Sequence, residues 1–364
     1  MSLTTLGPHV TNSFLFKGSK EKPFLAPRGV FVNQGILFVS DTGQNRVFIW
    51  NELPVSEFEE PSVILGQSEV GGVGRNTGGS ASAHTLQYPS GIWSDGVRLI
   101  VADAWNHRVL IWNTLPTQNG QVADVVLGQP DFESNEPNVK GIGTPPAANT
   151  LNWPYGVFSN GKQLWIADTG NRRILFFNEI PTANFSNADG VIGKSDFETR
   201  DYENNEPIWP YSVKVNSGGQ MIVADTQFYR NLIWNNYNEA LSKPADVIIG
   251  QKNFEDSGQN QFGLFPSKQS LNWTYDACFF NEGILVNDTG NSRILWFDKI
   301  PKDSNAEATA VIGKSDFKTG SENKDTLHGT DSSLYWPFSL AIENNQLIVA
   351  DTGNHRLVFM DLLV

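Results

Sequence analysis

The chain has 364 residues, 12% aromatic and only 18% charged, and its net charge of −13 argues against a nucleic-acid-binding surface. No apolar run approaches the roughly 20 residues that a membrane-spanning helix needs, and the first residues lack the pattern of a signal peptide. The single cysteine, Cys278, excludes an internal disulfide and a multi-cysteine metal site. The many glycines, together with asparagine, serine and threonine, favour short strands joined by turns.

In chain order, the first predicted strand is SFLFKG at 13–18, and three motifs then recur along the chain. The first motif begins with proline in five of its six copies, at 27–32, 89–94, 154–159, 210–215, 274–279 and 337–342. The second is an apolar run ending in aspartate and continuing after arginine, at 37–50, 99–112, 164–177, 221–234, 284–297 and 347–360. The third is a VxLG-type run at 62–67, 124–129, 189–194, 246–251 and 309–314.

Each repeat is predicted to form four strands, which we name A to D. Strand A is the first motif, strands B and C are the two halves of the second, and strand D is the third. The turn between B and C, D-T-G-N-x-R, has the residue types of a tight hairpin. The central aspartates are separated by 62, 65, 57, 63 and 63 residues. Four-stranded units at a fixed period predict the blades of a β-propeller.

The sixth repeat ends after strand C, so its strand D is missing from the C-terminal end of the chain. We expect residues 13–18 to supply it, because this pairing would cover two otherwise exposed strand edges. The predicted fold is therefore all-β: one six-bladed β-propeller of four-stranded antiparallel blades over 1–364, closed by an N-terminal strand. The expected blades are 27–67, 89–129, 154–194, 210–251, 274–314, and 337–361 with 13–18.

The repeat resembles the NHL family. The resemblance rests on the P-x-G-V start of strand A and on L-x-V-A-D-T-G-N-H-R, which ends here in Asn354-His355-Arg356. The segment ADVVLGQPDF at 123–132 is similar to a bacterial subgroup whose function is undefined. The resemblance implies a propeller and leaves function open, since the family includes RNA-binding modules, protein-binding modules and relatives that act as lyases or hydrolases. Function has to be argued from the site.

The aspartate and arginine of the B–C turn recur in every repeat, which indicates a structural role. We expect each pair to brace its turn and to reach towards the neighbouring blade. The pairs are Asp41 and Arg46, Asp103 and Arg108, Asp168 and Arg173, Asp225 and Arg230, Asp288 and Arg293, and Asp351 and Arg356.

Functional residues are expected where the repeat is broken at the end of the propeller that carries the B–C turns, its top face. Blade 2 has Trp105 where other turns have glycine, and blade 4 has Gln227, Phe228 and Tyr229. Blade 5 has Asp276 where the first three blades have glycine. Aromatic side chains in exposed turns suggest a contact surface, against the alternative that the long D-to-A loops cover them.

A second group of candidates follows the first residue of strand A, around the predicted channel mouth. It is cationic at Arg28 and aromatic at Tyr155, Tyr211 and Tyr275. The preceding positions, Tyr88, Trp153, Trp209, Trp273 and Trp336, are nearly periodic, which favours packing between blades. Lys214 interrupts an apolar position of strand A, and Asp276 is its expected partner. Cys278 is expected to be an inert, packed thiol.

Two functions remain open from the sequence. One is a non-catalytic binding or scaffold propeller whose top face takes a glycan, peptide or protein. The other is a hydrolase or lyase with an active site at the channel mouth, with or without a metal. No cofactor is evident, because no strand-A position carries histidine or glutamate, although Ca²⁺ or Zn²⁺ is left open. We expect a monomer, and the sequence does not determine the compartment.

Overall fold

The computed structural model describes residues 9–363, which form six four-stranded antiparallel sheets arranged as the blades of a β-propeller. Blades 1 to 3 consist of β2 (Gly29–Asn33), β3 (Ile36–Asp41), β4 (Arg46–Trp50) and β5 (Val63–Leu65); β6 (Pro89–Ser94), β7 (Leu99–Asp103), β8 (Arg108–Trp112) and β9 (Val125–Leu127); and β10 (Pro154–Ser159), β11 (Leu164–Asp168), β12 (Arg173–Phe177) and β13 (Gly190–Ile192).

Blades 4 to 6 consist of β14 (Pro210–Val215), β15 (Met221–Asp225), β16 (Arg230–Trp234) and β17 (Val247–Ile249); β18 (Ala277–Phe280), β19 (Gly283–Asp288), β20 (Arg293–Phe297) and β21 (Ala310–Ile312); and β22 (Pro337–Glu343), β23 (Gln346–Asp351), β24 (Arg356–Leu362) and β1 (Val10–Phe16). The predicted fold class is confirmed. The described residues contain no α-helix, and none of their helical segments is long and apolar enough to cross a membrane.

Short 3-10 helices complete the described elements. Six of them form the B–C turns, at Thr42–Gln44, Ala104–Asn106, Thr169–Asn171, Thr226–Phe228, Thr289–Asn291 and Thr352–Asn354. The others lie in loops, at Arg75–Gly78, Tyr237–Leu241, Gln259–Phe262 and Glu322–Asp325. The left-handed residue of each B–C turn is the one before the arginine, such as Asn45 at φ 54°. The turn glycine serves close approach instead: a Cβ on Gly43 would lie 2.4 Å from the carbonyl oxygen of Leu25.

The propeller closes through the N-terminal strand, as predicted. β1 pairs antiparallel with β24 and thereby becomes strand D of blade 6. Its last residue, Phe16, is fully buried, and its ring lies 5.5 Å from that of Phe24, 5.1 Å from that of Trp50 and 6.3 Å from that of Phe359. The strand therefore joins the two ends of the chain through both backbone pairing and an aromatic cluster.

The repeated aspartate and arginine form a buried ion pair in every blade, with the arginine Nε 2.6–2.8 Å from the aspartate Oδ2. In blade 2, Oδ1 of Asp103 accepts the N–H of Gln87, just before strand A. Nη2 of Arg108 donates to the carbonyls of Ser82 and Thr85, in the loop that enters the blade. Nη1 donates to the carbonyl of Phe132, in the loop that leaves it. Each arginine except that of blade 6 contacts both D-to-A loops in this way.

A second set of hydrogen bonds links each turn to the next blade. The turn threonine donates to a carbonyl at the start of the next strand A in five blades, as Thr42 does to Pro89. In four blades, the side chain of the left-handed residue accepts a hydrogen bond from the backbone N–H of the residue just before strand A of the following blade. In blade 2 the acceptor is Nδ1 of His107 and the donor is the N–H of Trp153, at 3.0 Å.

Phe16→Ala tests the closure. Removing this buried ring should lower the free energy of unfolding by about 3–5 kcal/mol, because it leaves a cavity between the first and last blades. Denaturant titration measures the loss, and deletion of residues 1–20 should lower the melting temperature further. Thr11→Ala, at an exposed position of the same strand, is the control. Equal stability of the Phe16 and Thr11 variants would contradict the closure.

His107→Asn tests the link between blades 2 and 3. Burial lowers the pKa of His107 from 6.5 to about 4, so its neutral ring contributes stability that is present above pH 6.5 and lost as the pH falls towards 4. The wild-type protein should lose up to about 3 kcal/mol of stability to this group over that interval. Asparagine, which accepts the equivalent bond at Asn45, should remove that loss.

The measurement is the denaturant midpoint at pH 7 and at pH 4.5 for both proteins. Other groups titrate equally in both, so the difference between the two slopes isolates His107. Identical pH dependence in the wild type and the variant would contradict a buried neutral imidazole.

Candidate functional site

The mouth of the channel is closed by a circle of side chains, one from each blade. The rings of Tyr155 and Tyr211 stack at 4.6 Å, and those of Tyr275 and Phe338 stack at 4.1 Å. Tyr211 meets Tyr275 edge to face at 4.6 Å. The guanidinium of Arg28 lies over the Phe338 ring at 4.1 Å, so the predicted cationic and aromatic residues do come together.

Blade 2 completes the circle with a different residue. Its strand A has Ser90 at the ring position, and Tyr88 from the preceding position fills the space, 5.1 Å from the guanidinium carbon of Arg28. Trp105 stacks on the outer side of Tyr88 at 4.5 Å, and Arg75 lies over Trp105. The predicted candidate Trp105 therefore supports the circle and remains 36% exposed.

A small cavity of about 30 Å³ is lined by the circle itself and by neighbouring strand-A residues. Lys214 and Asp276 both line it, yet none of the ion pairs formed by residues 9–363 joins them, in contrast to the expected partnership. A cavity of this size holds one or two water molecules. Asp276 is only 3% exposed, whereas Lys214 is half-buried.

Asp276 is buried below the mouth rather than exposed at it. Its Oδ2 accepts the N–H of Leu340 at 2.9 Å and the hydroxyl of Ser339 at 3.1 Å, and its Oδ1 accepts the N–H of Ala277. The carboxylate thus links strand A of blade 5 to strand A of blade 6. In the first blades the equivalent glycine lets neighbouring strands approach, since a Cβ on Gly29 would lie 1.9 Å from the carbonyl oxygen of Ser90.

Cys278 lies in β18, two residues after Asp276, and is a buried free thiol. Burial raises its pKa, and the nearby carboxylate of Asp276 adds to the increase. The thiol therefore stays protonated at neutral pH, as expected for a packed cysteine.

An open basin of about 240 Å³ lies on the top face beside the closed mouth. Two of the residues around it are tryptophans that the sequence assigned to packing, Trp209 and Trp273, which are 37% and 45% exposed. Gln227 reaches the basin from the B–C turn of blade 4. The eight residues lining it are Arg28, Tyr155, Trp209, Tyr211, Thr226, Gln227, Trp273 and Tyr275.

Phe228 and Tyr229 do not line this basin, and neither do Trp105, Lys214 and Asp276. Phe228 packs edge to face against Tyr202 and lies over the guanidinium of Arg230, where it supports the ion pair of blade 4. Tyr229 is the left-handed residue of that turn, with φ 51°, and its carbonyl accepts from Gln251. The described residues contain no cluster of three or more histidine, cysteine, aspartate or glutamate side chains suited to a metal ion.

Asp276→Ala tests the structural link below the mouth. It removes the acceptor of the buried Leu340 N–H, and we expect a loss of about 1–3 kcal/mol in the free energy of unfolding. Asp276→Asn retains an amide oxygen at this place and should cost less. Denaturant titration of both variants measures their free energies of unfolding. An alanine variant as stable as the wild type would contradict the link.

Comparison with known proteins gives one sequence relative. Human NHL repeat-containing protein 2 is 28% identical over 163 residues, which cover 42% of this chain and 20% of that protein. The match thus spans about a fifth of the relative's length. No family model matches the chain.

Solved structures resemble the whole chain at low identity. Streptogramin B lyase has a TM-score of 0.48 at 11% identity, covering 97% of this chain and 98% of that one. The hydrazine synthase of Kuenenia stuttgartiensis has a TM-score of 0.48 at 12% identity, covering 93% and 77%. The repeats, the six blades and the similarity to the human protein support an NHL-type propeller, and the bacterial subgroup stays a prediction.

Proposed function

We propose that the protein is a binding propeller whose top-face basin takes a ring-bearing ligand. The observation that carries this proposal is the exposure of Trp209 and Trp273 at the rim of a concave site. Indole rings gain free energy when they stack on a sugar or another ring, while their N–H stays available for a hydrogen bond. The volume of about 240 Å³ lies just below the roughly 300–1,000 Å³ of sites for drug-sized ligands, so it fits one ring-sized group.

The tyrosines of the basin are suited to donating hydrogen bonds. Burial raises the pKa of Tyr155 and of Tyr275 to about 12, and neighbouring Tyr211 adds to both increases. Their hydroxyl groups therefore stay protonated at physiological pH. In that state they can hold a ligand's oxygen atoms, but they are poor bases for removing a proton from it.

The second candidate function is a hydrolase or lyase that uses Lys214 and Asp276 with Tyr211 and Tyr275. The observed arrangement favours it less. The carboxylate of Asp276 is only 3% exposed and already accepts three hydrogen bonds, which leaves it poorly placed to act on a substrate.

A glycan and peptide array tests the proposed function with three tryptophan variants. Trp209→Ala and Trp273→Ala should each weaken binding of the selected ligand by about tenfold or more, because each removes a stacking surface. Trp336→Ala is the matched control, since Trp336 occupies the same repeat position, is 40% exposed and does not line the basin.

Two outcomes would contradict the proposal. One is that all three tryptophan variants bind as the wild type does. The other is that mass spectrometry finds the selected ligand cleaved and that Lys214→Ala abolishes the cleavage, which would favour the enzyme.

A further inference from the structure

Arg28 differs from the arginines of the repeat in having no counter-ion. The six repeated arginines each pair with a buried aspartate, whereas none of the ion pairs formed within residues 9–363 includes Arg28. Its Nε is buried and has no hydrogen-bond partner within that part of the chain. Burial disfavours the charge of Arg28, but the neighbouring tyrosines, Tyr211 above all, outweigh burial and raise its pKa. Neutral phenol groups hold the cation in this way without giving it a counter-charge.

The position of Arg28 is fixed by the rings on either side of it. Its guanidinium carbon lies 4.1 Å from the ring centre of Phe338 and 5.1 Å from that of Tyr88. Stacking of this kind holds the plane of the group and leaves its edge for hydrogen bonds. The same side chain lines the open basin, where it is the only charged residue among the described lining residues.

We propose that Arg28 binds the carboxylate of the ligand in the basin, and that this ligand is a uronic acid unit of a saccharide. The inference rests on the proposed binding function and names its ligand. A guanidinium with a fixed plane matches a carboxylate through two parallel N–H···O bonds. The pair would supply the counter-ion that the protein itself does not provide.

The other lining residues favour a sugar over an aromatic acid. Trp209 and Trp273 offer ring faces, while Gln227, Tyr155 and Tyr275 offer an amide and two hydroxyl groups in the same small volume. A pyranose has apolar C–H faces and a polar rim, so it can use both sets. A benzene ring would leave the polar groups without partners, which costs binding energy.

The charge of the whole chain limits how acidic the ligand can be. The net charge of −13 repels a polyanion at a distance. We therefore expect a single uronic acid flanked by neutral sugars rather than an unbroken run of acidic units.

The experiment compares two sugars that differ in one group. Methyl β-D-glucuronide and methyl β-D-glucoside are titrated against the full chain, with tryptophan fluorescence and ligand-observed NMR as readouts. We expect the glucuronide to bind at least about tenfold more tightly, as a charge-assisted bidentate contact predicts, and to weaken as salt is added. Arg28→Gln should abolish the preference. Arg75→Gln removes an exposed arginine that also lies over a ring on this face, and it should leave the preference unchanged.

Each other outcome overturns the inference in a distinct way. Equal binding of the two sugars, with no effect of Arg28→Gln, would exclude recognition of the carboxylate by Arg28. The proposed ring-binding site would still stand. Tighter binding of phenylacetate than of the glucuronide would show that the ligand is an aromatic acid and not a sugar. Binding of neither glycoside removes the uronic acid, and the tryptophan variants on the array then decide separately whether the basin binds anything. If Arg28→Gln unfolds, the preference and salt dependence of the wild type still decide the result.

Discussion

The buried aspartate–arginine pair is the interaction on which the rest of the structure depends. Both side chains of the Asp41–Arg46 pair are fully buried, and this burial raises the pKa of Asp41 to about 6 although Arg46 opposes the increase. Such a pair gives little net stability compared with apolar residues of the same volume. The pair instead positions the loops, because the arginine nitrogens donate hydrogen bonds to carbonyls of two successive D-to-A loops. Those loops have little regular structure of their own, and they carry Trp209 and Trp273 to the top face.

The fold could be predicted almost completely from the sequence because each blade repeats the same residues at the same places. Even the closure followed from repetition, since a missing strand in the last repeat and an extra one before Pro27 are complementary. Exposure of single side chains could not be predicted in this way. Trp273 recurs like a packing residue, and its indole is nevertheless 45% exposed, whereas Trp153 at the same repeat position, with a similar φ, is half-buried. Periodicity specifies a backbone position, and it does not specify which way a large ring turns.

Breaks in the repeat proved to be of two kinds. Gln227 replaces a turn glycine and brings a polar group to the basin, whereas Phe228 beside it packs on Arg230. Asp276 replaces a strand glycine, and its carboxylate holds the next blade at 2.9 Å. Two neighbouring residues that both depart from the repeat can thus differ in role, because successive side chains point in different directions. Comparison of the repeats finds such positions. Only the contacts in the structure distinguish a residue that faces the basin from one that supports the packing of the blades.

The circle of side chains across the mouth is the reason that the proposed ligand site is the basin and not the channel. A propeller with six identical strand-A residues would keep a symmetrical pore, but here blade 1 contributes a cation to a circle of rings. Arg28 lies over the rings of Phe338 and Tyr88 and also lines the basin. A carboxylate could therefore neutralise the charge without disturbing the stacked rings. In the proposed binding function, the residue that helps to seal the channel would also select the ligand, because a guanidinium is apolar on its face and a hydrogen-bond donor at its rim.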